Sequence, residues 1–178
     1  VDIGAYENQN TSLVHCVSLS SANPLAPYTT WLTAATNIQD AVGVALPGEV
    51  VAADAGVYNQ GGVVMFGAET NRVALTNGIT LVGVYGPQST WITGGTQMRC
   101  VYVGSNSLVS GFTITNGHTR FNGDLTNEAS GAGLWCEPGG LVASCLTISN
   151  STANWQYVGY GGGVYRGTVS NYTLVGNT

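Results

Sequence analysis

The chain has 178 residues, of which 44% are hydrophobic and only 7% charged, against a usual charged share of about 25%. It has no lysine, and Arg72, Arg99, Arg120 and Arg166 stand against nine carboxylates for a formal charge of −5, which excludes a nucleic-acid binder that must neutralise many phosphates. No apolar run approaches the ~20 residues of a membrane span, and the wealth of β-branched residues excludes a disordered chain.

Residues 1–12 are expected to form an N-terminal extension, with 13–178 as one repeated β domain. The stretch 13–19, LVHCVSL, reads as a strand and is followed by a Pro-punctuated loop, SSANPLAPYTTW. A helix is predicted from Thr36 to Leu46. Thr36 and Gln39 have capping-box spacing, and Ile38, Ala41, Val42 and Ala45 fall at i, i+3, i+4 and i+7. Pro47-Gly48 ends it. One apolar stripe on so short a helix must be buried against something larger.

Beyond the helix come only short strands, such as EVVAADAGVY, ITLVGVYG, RCVYVG and LVSGFTITNG, separated by Gly, Asn and Pro. Repetition organises them. LVSGFTITNG (108–117) matches VASCLTISNS (142–151) at an offset of 34, GAGLWC (131–136) matches GGGVYR (161–166) at 30, and CLTISN (145–150) matches YTLVGN (172–177) at 27. Strand-like cores at unequal offsets predict a solenoid whose strands stack and whose loops vary. Phe112 and Ile114, Leu146 and Ile148, and Tyr172 and Leu174 are then the expected core columns. Asn116, Asn150 and Asn177 recur just after these strands and are expected to form a structural ladder of stacked amides. The Thr of TIT, TIS and TLV also suggest an outward column, as in ice-binding surfaces, but the array decays to Ser and Val. Ordinary β-propensity accounts for it.

The stretch TNIQDAVGVALPGEVVAADAGVYNQGG resembles the opening of right-handed parallel β-helix proteins of the pectate-lyase-like superfamily. GFTITNG, GGGVYRGTVSNYTLVGNT and the leading VDIGAYE are similar to segments of a large secreted bacterial group of such repeat proteins. The resemblance implies an all-β, right-handed parallel β-helix with a short N-terminal capping α-helix, in an extracellular setting. It does not fix an activity, because the superfamily includes lyases, hydrolases, adhesins and fibres.

Lyase relatives use calcium-binding carboxylates with a basic residue beside them, and hydrolytic relatives use clustered Asp. Here Asp2, Asp40, Asp54 and Asp124 are scattered. No catalytic residue, metal ligand or cofactor is assigned. The alternative site is the 117–131 loop, GHTRFNGDLTNEASG, which gathers His118, Arg120, Asp124 and Glu128; such groups can do acid–base work or hold a cation. Charged residues also collect in any loop pushed out between rungs. Cys16, Cys100, Cys136 and Cys145 lack zinc spacing, and are either small buried hydrophobes or disulfide partners in one of three complete pairings. Asn10, Asn150 and Asn171 head N-x-S/T sequons.

The expected function is structural: a secreted β-helix that builds a fibre or surface array by head-to-tail stacking. The segment Val1, Asp2, Ile3, Ala5 and Tyr6 of one copy is expected to complete the C-terminal end of the next. A glycan-binding or glycan-cleaving surface at the 117–131 loop is the alternative.

Overall fold

The chain winds into a β-solenoid of about four turns, and the computed structural model describes residues 13–76, 78–152 and 159–178. Parallel strands stack on three faces. The first face holds Val14–Val17, Val50–Ala53, Thr80–Gly83, Leu108–Ser110, Leu141–Ala143 and Thr168–Ser170. The second holds Gly56–Tyr58, Thr90–Gly95, Thr113–Gly117, Leu146–Ile148 and Thr173–Val175. The third holds Glu69–Leu75, Met98–Val103, Leu134–Cys136 and Val164–Tyr165, and an added strand, Val63–Phe66, pairs antiparallel with Glu69–Leu75. The chain visits the faces in turn, so the two other faces supply the long crossover that parallel pairing needs.

Each face sends alternate residues inward, and successive coils place them in columns. Val51, Leu81, Val109 and Val142 form one on the first face; Tyr58, Ile92 and Ile114 form one on the second; Val73, Val101 and Leu134 form one on the third. All are at most 2% exposed. Burying an aliphatic side chain of this size stabilises the fold by roughly 1.5–3 kcal/mol, so every coil adds to the core through these columns.

The helix is Ile38–Val44, shorter than the expected Thr36–Leu46. Asn37 is its N-cap in place of Thr36, accepting the Asp40 N–H through its side-chain oxygen at 2.9 Å. Gln39 does not close a capping box, because its side-chain oxygen accepts the Ala74 N–H at 2.8 Å and ties the helix to the third face. Ile38, Ala41 and Val42 are buried in the main core. Beside the helix, the free edge of Val14–Val17 is closed by its own loop: Cys16 N–H donates to Tyr28 O at 2.7 Å, and Ala35 N–H donates to Cys16 O at 2.9 Å.

The unequal offsets arise mainly at one corner. Pairing of Val50 with Thr80, Thr80 with Leu108, Leu108 with Leu141 and Leu141 with Thr168 gives coils of 30, 28, 33 and 27 residues. The length differences arise chiefly between the second and third faces, where the hairpin strand and the 117–131 loop are inserted. The corner before the first face keeps one turn residue in place in every coil, although the last such corner is shorter. Gly48, Gly78, Asn106, Gly139 and Arg166 each lie two residues before the paired strand start, and each has positive φ (91°, 78°, 58°, 83° and 61°). Gly and Asn tolerate this left-handed turn best, which explains their frequency in the sequence.

The matches at 30 and 27 coincide with the observed registers Leu134↔Val164 and Leu146↔Thr173. The match at 34 does not. The true offset is 33, with Thr113 opposite Leu146, so Leu146 and Ile148 belong with Thr113 and Thr115 rather than with the buried Phe112 and Ile114. Cys145 stands in the coil below Phe112 and is itself 3% exposed. Both frames carry apolar residues, and a one-residue slip exchanges the faces. The same shift breaks the Thr column: Thr113 is buried and donates to Pro87 O at 2.6 Å, with Leu146 next to it. Asn116 also leaves the ladder. It is an exposed corner residue with φ 56°, aligned with Ser149.

All four cysteines are free and buried. Burial pushes the Cys100 and Cys136 thiols up to about 12, which leaves them as small hydrophobes. Among the described residues no helix is long and apolar enough to cross a membrane.

Candidate functional site

Polar and ionisable side chains gather on the outside of the third face. There the hairpin 63–75 and the 117–131 loop cover an outward column, Ala74, Tyr102, Trp135 and Tyr165, set by strand register. Tyr102 and Trp135 stack at 5.3 Å with 12° between planes, and Phe66 of the hairpin meets both rings at 5.7 Å. The Trp135 indole N–H donates to Thr126 O at 2.7 Å, anchoring the loop over the cluster. The Tyr102 hydroxyl donates to Glu137 at 2.8 Å.

Arg99, 1% exposed, is the post around which the loop is wound. Its guanidinium donates to Asn127 O, Ser130 O, Gly131 O and the Asn71 side chain, all between 2.7 and 2.9 Å. Glu69 lies in the same layer and is fully buried. One of its oxygens accepts the Arg120 N–H at 3.1 Å, and the other has no partner among the described residues. Burial pushes this carboxyl up to about 7, against the opposing pull of Arg99 and of the Arg120 N–H.

Of the sequence-predicted loop residues, three meet and one stands apart. Glu128 accepts the Ala68 N–H at 2.8 Å and the Asp124 N–H at 2.9 Å, and lies 3.9 Å from Arg120. These backbone N–H groups hold its carboxyl below the ordinary range. Asp124 accepts the Asn127 N–H at 2.7 Å. His118 enters the strand ladder instead: its N–H donates to Met98 O at 3.0 Å, and its Nδ1 is buried without a partner among the described residues. The carboxylates are thus turned to backbone N–H groups, those of the loop itself and, for Glu128, that of Ala68 in the hairpin. Among the described residues no three His, Cys, Asp or Glu side chains are placed to hold a metal ion.

Sequence reasoning missed Glu69, Arg99 and the aromatic column. The column had a signal, since the 30-residue match already aligned Trp135 with Tyr165. Glu69 and Arg99 had none, because neither falls in a stretch that repeats in the sequence.

The amide ladder is real for two members. The Asn150 side chain donates to the Asn177 Oδ1 at 2.9 Å and to Ile114 O at 3.0 Å, and accepts the Gly117 N–H at 2.7 Å. Glycine is required at 117, because a Cβ there would collide with Ala132 O and Cys100. Asn150 is fully buried, which closes that sequon to modification in the folded chain. Asn171 is exposed at a corner with φ 46°. Asn10 and the proposed assembly residues Val1, Asp2, Ile3, Ala5 and Tyr6 lie outside the described residues.

The C-terminal face is the other candidate. A cleft of about 300 Å³ opens there between the last coils, lined by Gly163, Val164, Leu174, Val175 and Asn177. Comparison with protein-family models, with curated proteins and with solved structures found no match to this chain. The parallel β-solenoid therefore rests on the strand pairing of the structure, and the pectate-lyase-like likeness rests on its motifs alone.

Proposed function

We propose that the chain is a structural solenoid of an extracellular fibre or surface array, lengthened head to tail by a further coil laid on its C-terminal face. The observation that carries this reading is the change in burial along the inward columns. Val51, Leu81, Val109 and Val142 are at most 1% exposed, whereas Val169, next in the column, is 47% exposed. Leu174, in the column of Ile92 and Ile114, is 57% exposed. A coil added here covers these side chains and pairs the strand edges. The donor we propose is residues 1–9 of a neighbouring copy. Such a contact is heterologous and propagates as a filament unless it closes into a ring. The extracellular setting is part of the proposal and is supported by the motif resemblance to secreted repeat proteins alone.

Negative-stain microscopy and sedimentation of three proteins test this: the full chain, a deletion of residues 1–9, and Leu174→Asp. Filaments are expected only from the full chain. Assemblies of unchanged length and stability in the deletion would remove the donated segment. Their persistence in Leu174→Asp would remove the end face, and discrete single particles from the full chain at every concentration would remove head-to-tail growth. The alternative, a glycan-binding or glycan-cleaving loop at 117–131, has less support, because Asp124 and Glu128 are engaged by backbone N–H groups.

A further inference from the structure

We propose that the 117–131 loop is a strap over the Phe66–Tyr102–Trp135 cluster, latched to the hairpin turn by the Glu128 carboxylate and released by acid while the coils beneath stay folded.

The latch is built from both sides. Gly67 and Gly123 face Glu128, and a Cβ on either would run into its carboxylate. Gly67 has φ 55° and Gly123 φ 143°, and the next residue of each, Ala68 and Asp124, aims its N–H at a carboxylate oxygen. Two turns distant in sequence thus form one backbone cradle for a single anion. Ionised acceptors make such bonds about twice as strong as neutral ones. Arg120 reinforces the contact from the strap, donating to Ala68 O at 3.3 Å.

The outer part of the strap is shaped to move while its root stays fixed. Its ends meet where the Thr119 hydroxyl donates to Ala129 O at 3.2 Å, which makes the segment between them an Ω-loop. Residues 127–131 are fixed by Arg99, while Phe121, Asn122, Gly123 and Asp124 are exposed. The coils below are held by strand ladders in which Glu128 takes no part. Local opening draws on such weakly tied segments.

The charged groups around the latch are few. Arg120 and Asp124 face Glu128 from the strap, and from the hairpin the Gly67–Ala68 backbone meets it. Glu69, faced by Arg99 and by the Arg120 N–H, lies one layer inward. The cradle N–H groups hold the Glu128 carboxyl low, so the latch is intact at neutral pH and fails as pH falls below the ordinary carboxylate range. Glu69 shifts the other way and does not supply this acid release.

Hydrogen exchange of the full chain at pH 6 and pH 3, corrected for intrinsic rates, tests the device. Acidification is expected to reduce protection of the Ala68 and Asp124 amides by on the order of tenfold, about one charge-assisted hydrogen bond, while the Val101 and Leu134 amides keep theirs. Glu128→Gln is expected to show reduced protection already at pH 6 and no further loss at pH 3. Gly67→Ala, which blocks the cradle without removing a titratable group, is expected to do the same. Acid loss that persists in Glu128→Gln would overturn the proposal. So would unchanged protection in both variants, or loss of strap and coil amides together.

Discussion

The interior of the coils and the covered outer side of the third face are both buried, yet they are made differently. Inside, each coil repeats one instruction: a strand with apolar residues at alternate positions, then a corner that turns through positive φ. Among the described residues its polar side chains include neutral groups bonded in place: the Asn150–Asn177 pair, the Ser107 hydroxyl and the Tyr58 hydroxyl. Outside, three aromatic rings are sealed by a hairpin and a loop that occur once each, and the seal needs a buried arginine, a buried glutamate and the Glu128 cradle. Repetition lets an aliphatic core form without charges. A single-copy cover must fix its irregular backbone with charged side chains, because its carbonyls and N–H groups have no ladder to satisfy them.

The largest expected effects compare the two regions directly. Arg99→Met leaves the carbonyls of Asn127, Ser130 and Gly131 without their donor and should destabilise the chain by about 3–5 kcal/mol. Leu81→Ala opens a cavity in the aliphatic column and should remove about 2–5 kcal/mol. Urea unfolding followed by circular dichroism measures both, and Trp135 exposure resolves where unfolding starts. The comparison fails if Arg99→Met is silent, since the cover would then be held by the aromatic rings alone.

A pH profile sharpens it. Glu69 in the folded chain carries its proton up to about pH 7, above its value when unfolded. Its contribution is therefore complete below the unfolded value near 4.5, falls as pH rises towards 7, and is flat beyond. The fall should approach roughly 3 kcal/mol, and Glu69→Gln should flatten it. A slope that survives in Glu69→Gln would place the titrating group elsewhere.

Legibility followed the same division. The solenoid, the helix stripe and two of three registers could be read because each rests on spacing that recurs. The 34-residue match failed by one residue because Cys145, a small buried hydrophobe, takes the place below Phe112 while the neighbouring Leu146 imitates it in sequence. Asn116 looked like Asn150 for a related reason, since asparagine serves both as a stacking amide and as a left-handed corner residue. The Glu69–Arg99 layer was illegible. Its members lie 30 residues apart by number, on paired strands of successive coils, and neither falls in a stretch that repeats in the sequence.

A smaller change probes the aromatic cover. Trp135→Phe keeps a ring against Tyr102 but leaves Thr126 O without the indole donor. A loss of about 1–2 kcal/mol is expected, with faster exchange confined to residues 120–126. If exchange rises equally in the coils, the cover and the core are one cooperative unit and the contrast between them is lost.

The smallest expected effect falls on Leu174. It belongs to the same kind of inward column as Leu81, but it is 57% exposed where Leu81 is fully buried. A side chain that has gained little burial on folding has little to lose, so Leu174→Ala should change the stability of the unassembled chain by less than about 0.5 kcal/mol. The same substitution should weaken head-to-tail association far more, because in the proposed stack Leu174 gains its burial from the added coil. Identical chemistry, Leu→Ala at an inward position, is thus expected to act on folding in the middle of the solenoid and on assembly at its end. Thermal melting at low concentration reads the first quantity, and the concentration dependence of sedimentation reads the second. If Leu174→Ala lowers the melting temperature of dilute protein as much as Leu81→Ala does, Leu174 is already covered in solution by the chain's own residues. The end face would then not be a growing edge. If melting and sedimentation both stay as in the parent, whatever covers the last coil does so without Leu174, and the assembly contact has to be sought along the edges of the terminal strands.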